Sequence, residues 1–515
     1  MTPAACADLA VPGERAAALR LLGFCVLIAL LTYGFNLFNV HLSIDNEVAA
    51  FGVRSGRIWL AQGRWGTHLL NRFVLPHPII PVVPMTIIIV GLAGSYVLSA
   101  MTWRRPIDMA HYAAAPFALA FPVLVHISSF LSLSYAVAIG FCLSAFAVCL
   151  AATGGRGPLL VAILPLTAAI GMYQPVTMFP MVSFLTLSAI RVPAVGIGET
   201  LRRLSWFMLA VGASLALYYA IWRAWVPFDG VAPGYVGQFF KLDALVATPG
   251  STLAEAARFA WLILSGQSDL FLEKRHAFAA TMWLAGAVVL LEAWRARRSL
   301  GQFALQIVLI GAAVLSPLMI AAINAGQLPY RTLLGAPLGL AALVFVAMST
   351  ARLRLVRVAL VLLSAVCLLG FVNGANRLFY MHSLVVEADR DLANRIVDRI
   401  HALGGRPESR PTPVEFVGAH SMRESRAFPR VSGSTLGASF FEWDGGNSGR
   451  IVLFMRSMGY DLRPISGERR GALLERVKTM PAWPAEGAVQ RLDEIIVVKF
   501  SDYTWLQRRR LGLPG

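Results

Sequence analysis

Two carboxylates stand close together in the stretch SIDNEVAAFG: Asp45 and Glu47, at the end of the first long apolar run. Paired carboxylates suit a general base that takes a proton from a hydroxyl, or a divalent cation held through oxygen. A solvated loop acid capping a short helix uses the same residue types. Ionisable groups near a bilayer are costly to keep and are functional-site candidates for that reason, and only 12 of the 28 acidic residues precede residue 383. A second polar group, Tyr173 and Gln174, precedes Pro175 in a short connection, as a sugar contact or as an interfacial anchor with a turn amide. A third comprises Gln327, Tyr330 and Arg331 around Pro329, where an arginine either binds a lipid phosphate or snorkels to headgroups.

The elements that must position these residues follow from composition. The chain has 515 residues, 57% hydrophobic and 14% charged, with a net charge of +17 and a mean hydropathy of +0.64. Soluble proteins carry roughly 25% charged residues, so an ordinary soluble enzyme is excluded. The basic residues sit in short clusters between apolar runs, which is a membrane-topology pattern and not a nucleic-acid one. Runs long enough to span a bilayer, about 20 residues each, begin near residues 18, 79, 112, 134, 157, 175, 204, 276, 302, 332 and 356. An α-helical polytopic membrane protein with about eleven transmembrane helices is predicted.

Arginine placement sets the orientation. With the N-terminus inside, the inside loops hold Arg104 and Arg105, then Arg156, then Arg191, Arg202 and Arg203, then Arg295, Arg297 and Arg298, then Arg352, Arg354 and Arg357. The short outside connections near 128, 172 and 324 contain only Arg331. Two larger outside regions, 41–78 and 227–275, complete a membrane domain over 1–382. In the first, Ile58, Trp65, Leu69 and Phe73 recur at helical spacing beside a stripe of Arg57, Arg64, His68 and Asn71, which predicts a helix lying in the interface plane.

Residues 383–515 hold 20 of the basic and 16 of the acidic residues, the composition of a soluble domain. An odd number of spans places it outside. The stretch LVVEADRDLANRIVDRIHALGG predicts an amphipathic helix, and PVEFVG, RIVLFM and DEIIVVKF predict buried strands, together a small α/β domain. All five cysteines precede this domain, so no disulfide framework braces it. The turn DGGNSG at Asp444 faintly resembles a calcium loop. Phosphate-loop, dinucleotide, HExxH and GxSxG motifs are absent from the sequence, which removes the chemistries that need them.

The block SIDNEVAAFG followed by WLAQGRWGTHLLNRFVLPHPIIPVVP, the later MYQP and LPYRTL, and the tail segments PVEFVG, MPAWP and DEIIVVKF resemble the Gtr type II family of O-antigen glucosyltransferases over nearly the whole chain. That family is similar in organisation to the polytopic GT-C glycosyltransferases, with an acidic site in the first extracytoplasmic loop. The resemblance implies transfer of glucose from undecaprenyl-phosphate-linked glucose to an O-antigen or other glycan acceptor. The protein would lie in the bacterial inner membrane, with its active site and C-terminal domain on the periplasmic side. It implies Asp45 as the base, assisted by Glu47. Donor phosphate and sugar would meet Arg64, Arg331, Tyr330, Gln327, Tyr173 and Gln174, and the acceptor Trp65 and His68. The sequence leaves open whether a metal is used; a divalent cation, Mg or Mn, if present, would fall to Asp45 and Glu47. The rival reading is a flippase or transporter of polyprenyl-linked sugar, which the large tail and the absence of an inverted repeat disfavour.

Overall fold

The computed structural model describes residues 12–39, 41–51, 57–75, 82–103, 106–227, 230, 242–324, 328–421 and 434–512. Arg104, Arg105 and Gln327 lie outside the described residues. The chain divides into two compact units: one of Met1–Phe38, Gly56–Arg377 and Val431–Gly433, the other of Asn39–Ser55, Leu378–Arg430 and Ser434–Gly515. The short segment Asn39–Ser55, which carries Asp45 and Glu47, thus groups with the C-terminal residues and not with the rest of the first loop.

The first unit is helical. Among the described residues eight helices are long and apolar enough to cross a membrane: Gly13–Phe38, Val82–Trp103, Leu131–Ala152, Gln174–Val195, Ile197–Trp225, His276–Ala296, Leu300–Ile323 and Arg354–Ala402. The pair Met109–Leu119 and Pro122–Ser128, bent by 48°, makes nine if it is one span. Pro122 explains the bend, because it opens the second piece where it can give no hydrogen bond to the first. Two further apolar helices, Arg156–Met172 and Ala336–Thr350, are shorter.

In the first loop the expected single interfacial helix is two, Arg57–Ala61 and Trp65–Phe73. Gly63, at φ +75°, breaks the run in a conformation open to glycine. In the second helix His68 and Asn71 of the polar stripe are buried, while of the apolar set Trp65 and Leu69 are half-buried and Phe73 is 70% exposed. The reason is hydrogen bonding. Thr67 Oγ1 donates to the Met172 carbonyl at 2.6 Å, satisfying an oxygen at the end of Arg156–Met172, and Asn71 Nδ2 donates to Ser132 O at 2.9 Å.

Arg354–Ala402 is one uninterrupted helix of 49 residues, where a span followed by a separate amphipathic helix was expected. No glycine or proline stands between Gly374 and Gly404 to end it. Its residues from Leu378 belong to the second unit.

The second unit is an α/β fold. Strands β1 (Thr412–Val417), β2 (Leu462–Pro464), β3 (Val489–Leu492) and β4 (Ile495–Lys499) form a sheet in the order β2-β1-β4-β3, with β1 parallel to β2 and β4, and β3 antiparallel to β4. Alternation along β1 and β4 serves two cores. Val414, Phe416, Ile496 and Val498 pack with Ile396, Ile451 and Phe454, whereas Val417, Ile495 and Val497 pack with Leu473 and Val477. Strands covered on both faces are largely apolar, which made PVEFVG and DEIIVVKF legible, with Glu415 and Lys499 as buried exceptions. RIVLFM is a helix instead, Ser448–Ser457. Asn447 caps it, accepting from the Gly449 amide at 3.1 Å, and Ile451, Val452, Phe454 and Met455 fall on one buried helical face.

Candidate active site

The acidic pair is built into the second unit. Ile44 sits in the core with Phe440 and Ile451, Asn46 Nδ2 donates to Ser43 Oγ at 2.7 Å, and the short helix Asn46–Phe51 begins immediately after Asp45. Asp45 turns the chain at φ +77°, a left-handed conformation that costs a non-glycine residue about 1–2 kcal/mol. Such strain persists where neighbouring contacts over-determine it.

Those contacts come from one guanidinium. Arg450, near the start of Ser448–Ser457, donates from Nη2 to Asp45 Oδ1 at 2.8 Å, from Nη1 to Glu47 Oε1, and from Nε to Asp444 Oδ2 at 2.8 Å. Each of its three nitrogens is thus spent on a carboxylate, and Asp444 is likewise left-handed, at φ 54°. Charge-assisted bonds of this kind are about twice as strong as neutral ones. The DGGNSG turn therefore serves to present Asp444 to Arg450. The three acids differ in access: the Asp45 side chain is 37% exposed and that of Asp444 34%, whereas Glu47 is fully covered. Burial pushes the Glu47 carboxyl up from 4.5 to about 7, outweighing the opposing pull of Arg450. Asp45 is the member of the expected pair that a substrate can reach.

The pair does not fit a divalent cation as arranged, because one positive guanidinium already bridges Asp45 and Glu47. Among the described residues no three His, Cys, Asp or Glu side chains converge in a metal-binding group.

In the first unit, Arg64, Tyr173, Gln174 and Arg331, drawn from three distant parts of the sequence, line a single cavity of about 560 Å³ with mostly apolar walls that include Leu215 and Trp222. The Arg64 guanidinium lies 4.6 Å from the Tyr173 ring centre and 5.5 Å from that of Trp59. Arg331 lies 4.9 Å from the Phe130 ring centre. Gln174 Nε2 donates to Gln62 O at 2.7 Å and to Tyr218 Oη at 3.0 Å, and Trp222 Nε1 donates to Leu60 O at 2.8 Å. These bonds fix the loop around Gly63 to the helix Ile197–Trp225. An apolar cavity with two guanidinium groups can take an amphiphile whose anionic part meets the arginines.

Three of the residues expected to bind donor or acceptor do not line this cavity. Tyr330 is buried beside it, its hydroxyl bonded to Asp269 and 3.2 Å from Ser268 Oγ. That environment raises the phenol above its ordinary value, by burial first and then by the Asp269 carboxylate. His68 packs edge-on against Trp225, with ring centres 5.6 Å apart. Trp65 packs on Gly171, where an added Cβ would come within 2.4 Å of the indole. Sequence reasoning missed Arg450, hidden in a run read as a strand, and Asp269, one of several loop acids. It also missed Tyr218 and Trp222, although the aromatic run YYAIWRAW at the end of their helix was a usable signal.

No curated protein matches the chain significantly, and no solved structure does either. Residues 34–348 match the family described as glucosyl transferase GtrII, a stretch that includes Asp45, Glu47, Arg64, Tyr173, Gln174, Asp269 and Arg331 and stops short of Asp444 and Arg450. That match covers more than half of the 515 residues, and this chain belongs to the GtrII glucosyl transferase family.

Proposed function

We propose that this protein transfers glucose from undecaprenyl-phosphate-linked glucose to an O-antigen or related surface glycan, in the bacterial inner membrane and on its periplasmic side. The observation that carries the reading is the cavity in which Arg64 and Arg331 stand in apolar walls. A polyprenyl chain favours such walls, and guanidinium groups suit its phosphate through paired hydrogen bonds. Basic inside loops and bulky outside regions support the periplasmic side.

The reaction is a direct displacement with inversion. The acceptor hydroxyl oxygen bonds to the anomeric carbon as the bond from that carbon to the phosphate oxygen breaks. The phosphate leaves with the electron pair, and the hydroxyl proton passes to Asp45. Arg64 and Arg331 offset the charge that grows on the departing phosphate. Glu47, covered and bonded to Arg450, supports Asp45 and does not itself meet the acceptor.

The test compares surface polysaccharide from the native host carrying the intact gene, its deletion, and the deletion complemented with Asp45→Asn. The expected result is one hexose per repeat lost on deletion and restored by the intact gene alone. In detergent, Asp45→Asn lowers the turnover by roughly 10²–10⁴. Polysaccharide unchanged in all three strains overturns the O-antigen acceptor. Vesicle transport of the lipid-linked sugar with no transfer in detergent replaces the enzyme by a flippase.

A further inference from the structure

We infer that Arg450 takes at Asp45 and Glu47 the part a divalent cation would otherwise play, so that this protein carries its cation as a side chain and works without an added metal. The inference rests on the glucosyl-transfer reading for its activity measurements, though not for its binding measurement.

The geometry is specific. A guanidinium offers its donors in a planar fork, and here the fork is used on all three edges, with Asp45 and Asp444 at 2.8 Å and Glu47 bonded as well. The Arg450 side chain is 17% exposed, so the interaction is shielded from solvent, and removing one partner would leave carboxylates facing one another without compensation. The two acids that bracket Arg450 and remain open, Asp45 and Asp444, are both held in left-handed backbone. One cation therefore draws two strained turns and one covered glutamate into a fixed constellation. A divalent ion bridging carboxylates would do the same through oxygen coordination, but it cannot occupy the bridge while the guanidinium does.

Arg450 is accordingly a positioning residue. It acts on the acceptor through Asp45, whose carboxylate it orients with one oxygen engaged. A lysine cannot reproduce this, because a single ammonium on a flexible stem does not present three fixed edges.

The test uses the full-length protein in detergent or nanodiscs, with Mn2+ alone as the binding probe. Electron paramagnetic resonance should find no Mn2+ site in the wild type that Asp45→Asn removes. Arg450→Ala should gain one, and Asp45→Asn in that background should abolish it. In transfer assays EDTA should leave the wild-type rate within about twofold, and Arg450→Ala should lower turnover by roughly a hundredfold or more with the donor KM little changed. Millimolar guanidinium or Mn2+ should recover part of that loss, which a merely structural defect would not allow. Should Arg450→Ala fail to yield folded protein, Arg450→Lys should fold, lose turnover and show no EDTA sensitivity of its own. A wild-type rate abolished by EDTA and restored by Mg2+ or Mn2+ overturns the inference, as does full turnover in Arg450→Ala. A wild type that transfers no sugar under any condition overturns the functional reading instead, and the Mn2+ comparison still decides the role of Arg450.

Discussion

The guanidinium of Arg64 lies over the ring of Tyr173, 4.6 Å from its centre, at the wall of an apolar cavity of about 560 Å³ in the helical unit. The ring holds the cation at a fixed place beside a cavity otherwise hostile to charge. Replacing Arg64 by Lys keeps the charge and loses the stacking, which is worth about 1–2 kcal/mol where the pair is desolvated. The expected outcome is a donor KM raised roughly five- to thirtyfold with turnover less affected, read in steady-state kinetics with a polyprenyl-phosphate sugar.

Arg331 enters the same cavity from a one-turn helix, Tyr330–Thr332, whose tyrosine is tied to Asp269. Arg331→Ala should raise the donor KM roughly ten- to hundredfold, the worth of a hydrogen bond to a charged group. Asp269→Asn should produce part of the same increase by releasing Tyr330. The two changes should then be non-additive in a double-mutant cycle, since they share one structural element. Strict additivity would show that Asp269 acts elsewhere.

Gly63 allows the turn that brings Gln62 to Gln174. A Cβ there would sit 2.4 Å from the Tyr218 hydroxyl and 2.8 Å from Gln174 Nε2, in backbone at φ +75°. Gly63→Ala combines a clash with left-handed strain and should cost at least about 1–2 kcal/mol. A lowered Tm in detergent together with weaker donor binding is the expected readout.

Glu47 makes stability depend on pH. Its carboxyl titrates near 7 when folded and near 4.5 otherwise, because burial disfavours the charged form. The folded protein thus holds a proton that the unfolded chain has released, and this contribution is complete below about pH 4.5 and fades as pH rises to about 7. Glu47→Gln should flatten that part of the profile. Thermal unfolding across this window, compared between the two proteins, measures the difference directly.

Hydropathy made the helical unit legible, because a bilayer imposes long apolar runs that no other constraint produces. Ten of the eleven apolar runs fall each on one helix, two of them, of 17 and 15 residues, short for a span, and the run near 112 is divided between Met109–Leu119 and Pro122–Ser128. Periodicity did less well where burial is two-sided. RIVLFM is apolar enough for a strand or a helix, and only the Asn447 cap decides between them. The first-loop stretch reads as one helix in the interface plane, yet Thr67 and Asn71 are used to satisfy backbone carbonyls of neighbouring helices. Residue type picked out Asp45 in the second unit and, in the first, Arg64, Tyr173, Gln174 and Arg331, which line one cavity. Arg450 was invisible, because folding recruits it from a distant run with no local signature, whereas Tyr218 lay in an aromatic run that could have pointed to it.

Asp45 and Arg450 are 405 positions apart in the chain. At typical synthesis rates of about 5–20 residues per second, the acid waits roughly 20–80 s for its arginine. Throughout that interval the newborn membrane segment carries two carboxylates without their counter-charge. A polypeptide released early would keep the spans and lack the residue that sets Asp45 in place. Synthesis must therefore pass Arg450 before Asp45 and Glu47 have the guanidinium that bonds them both.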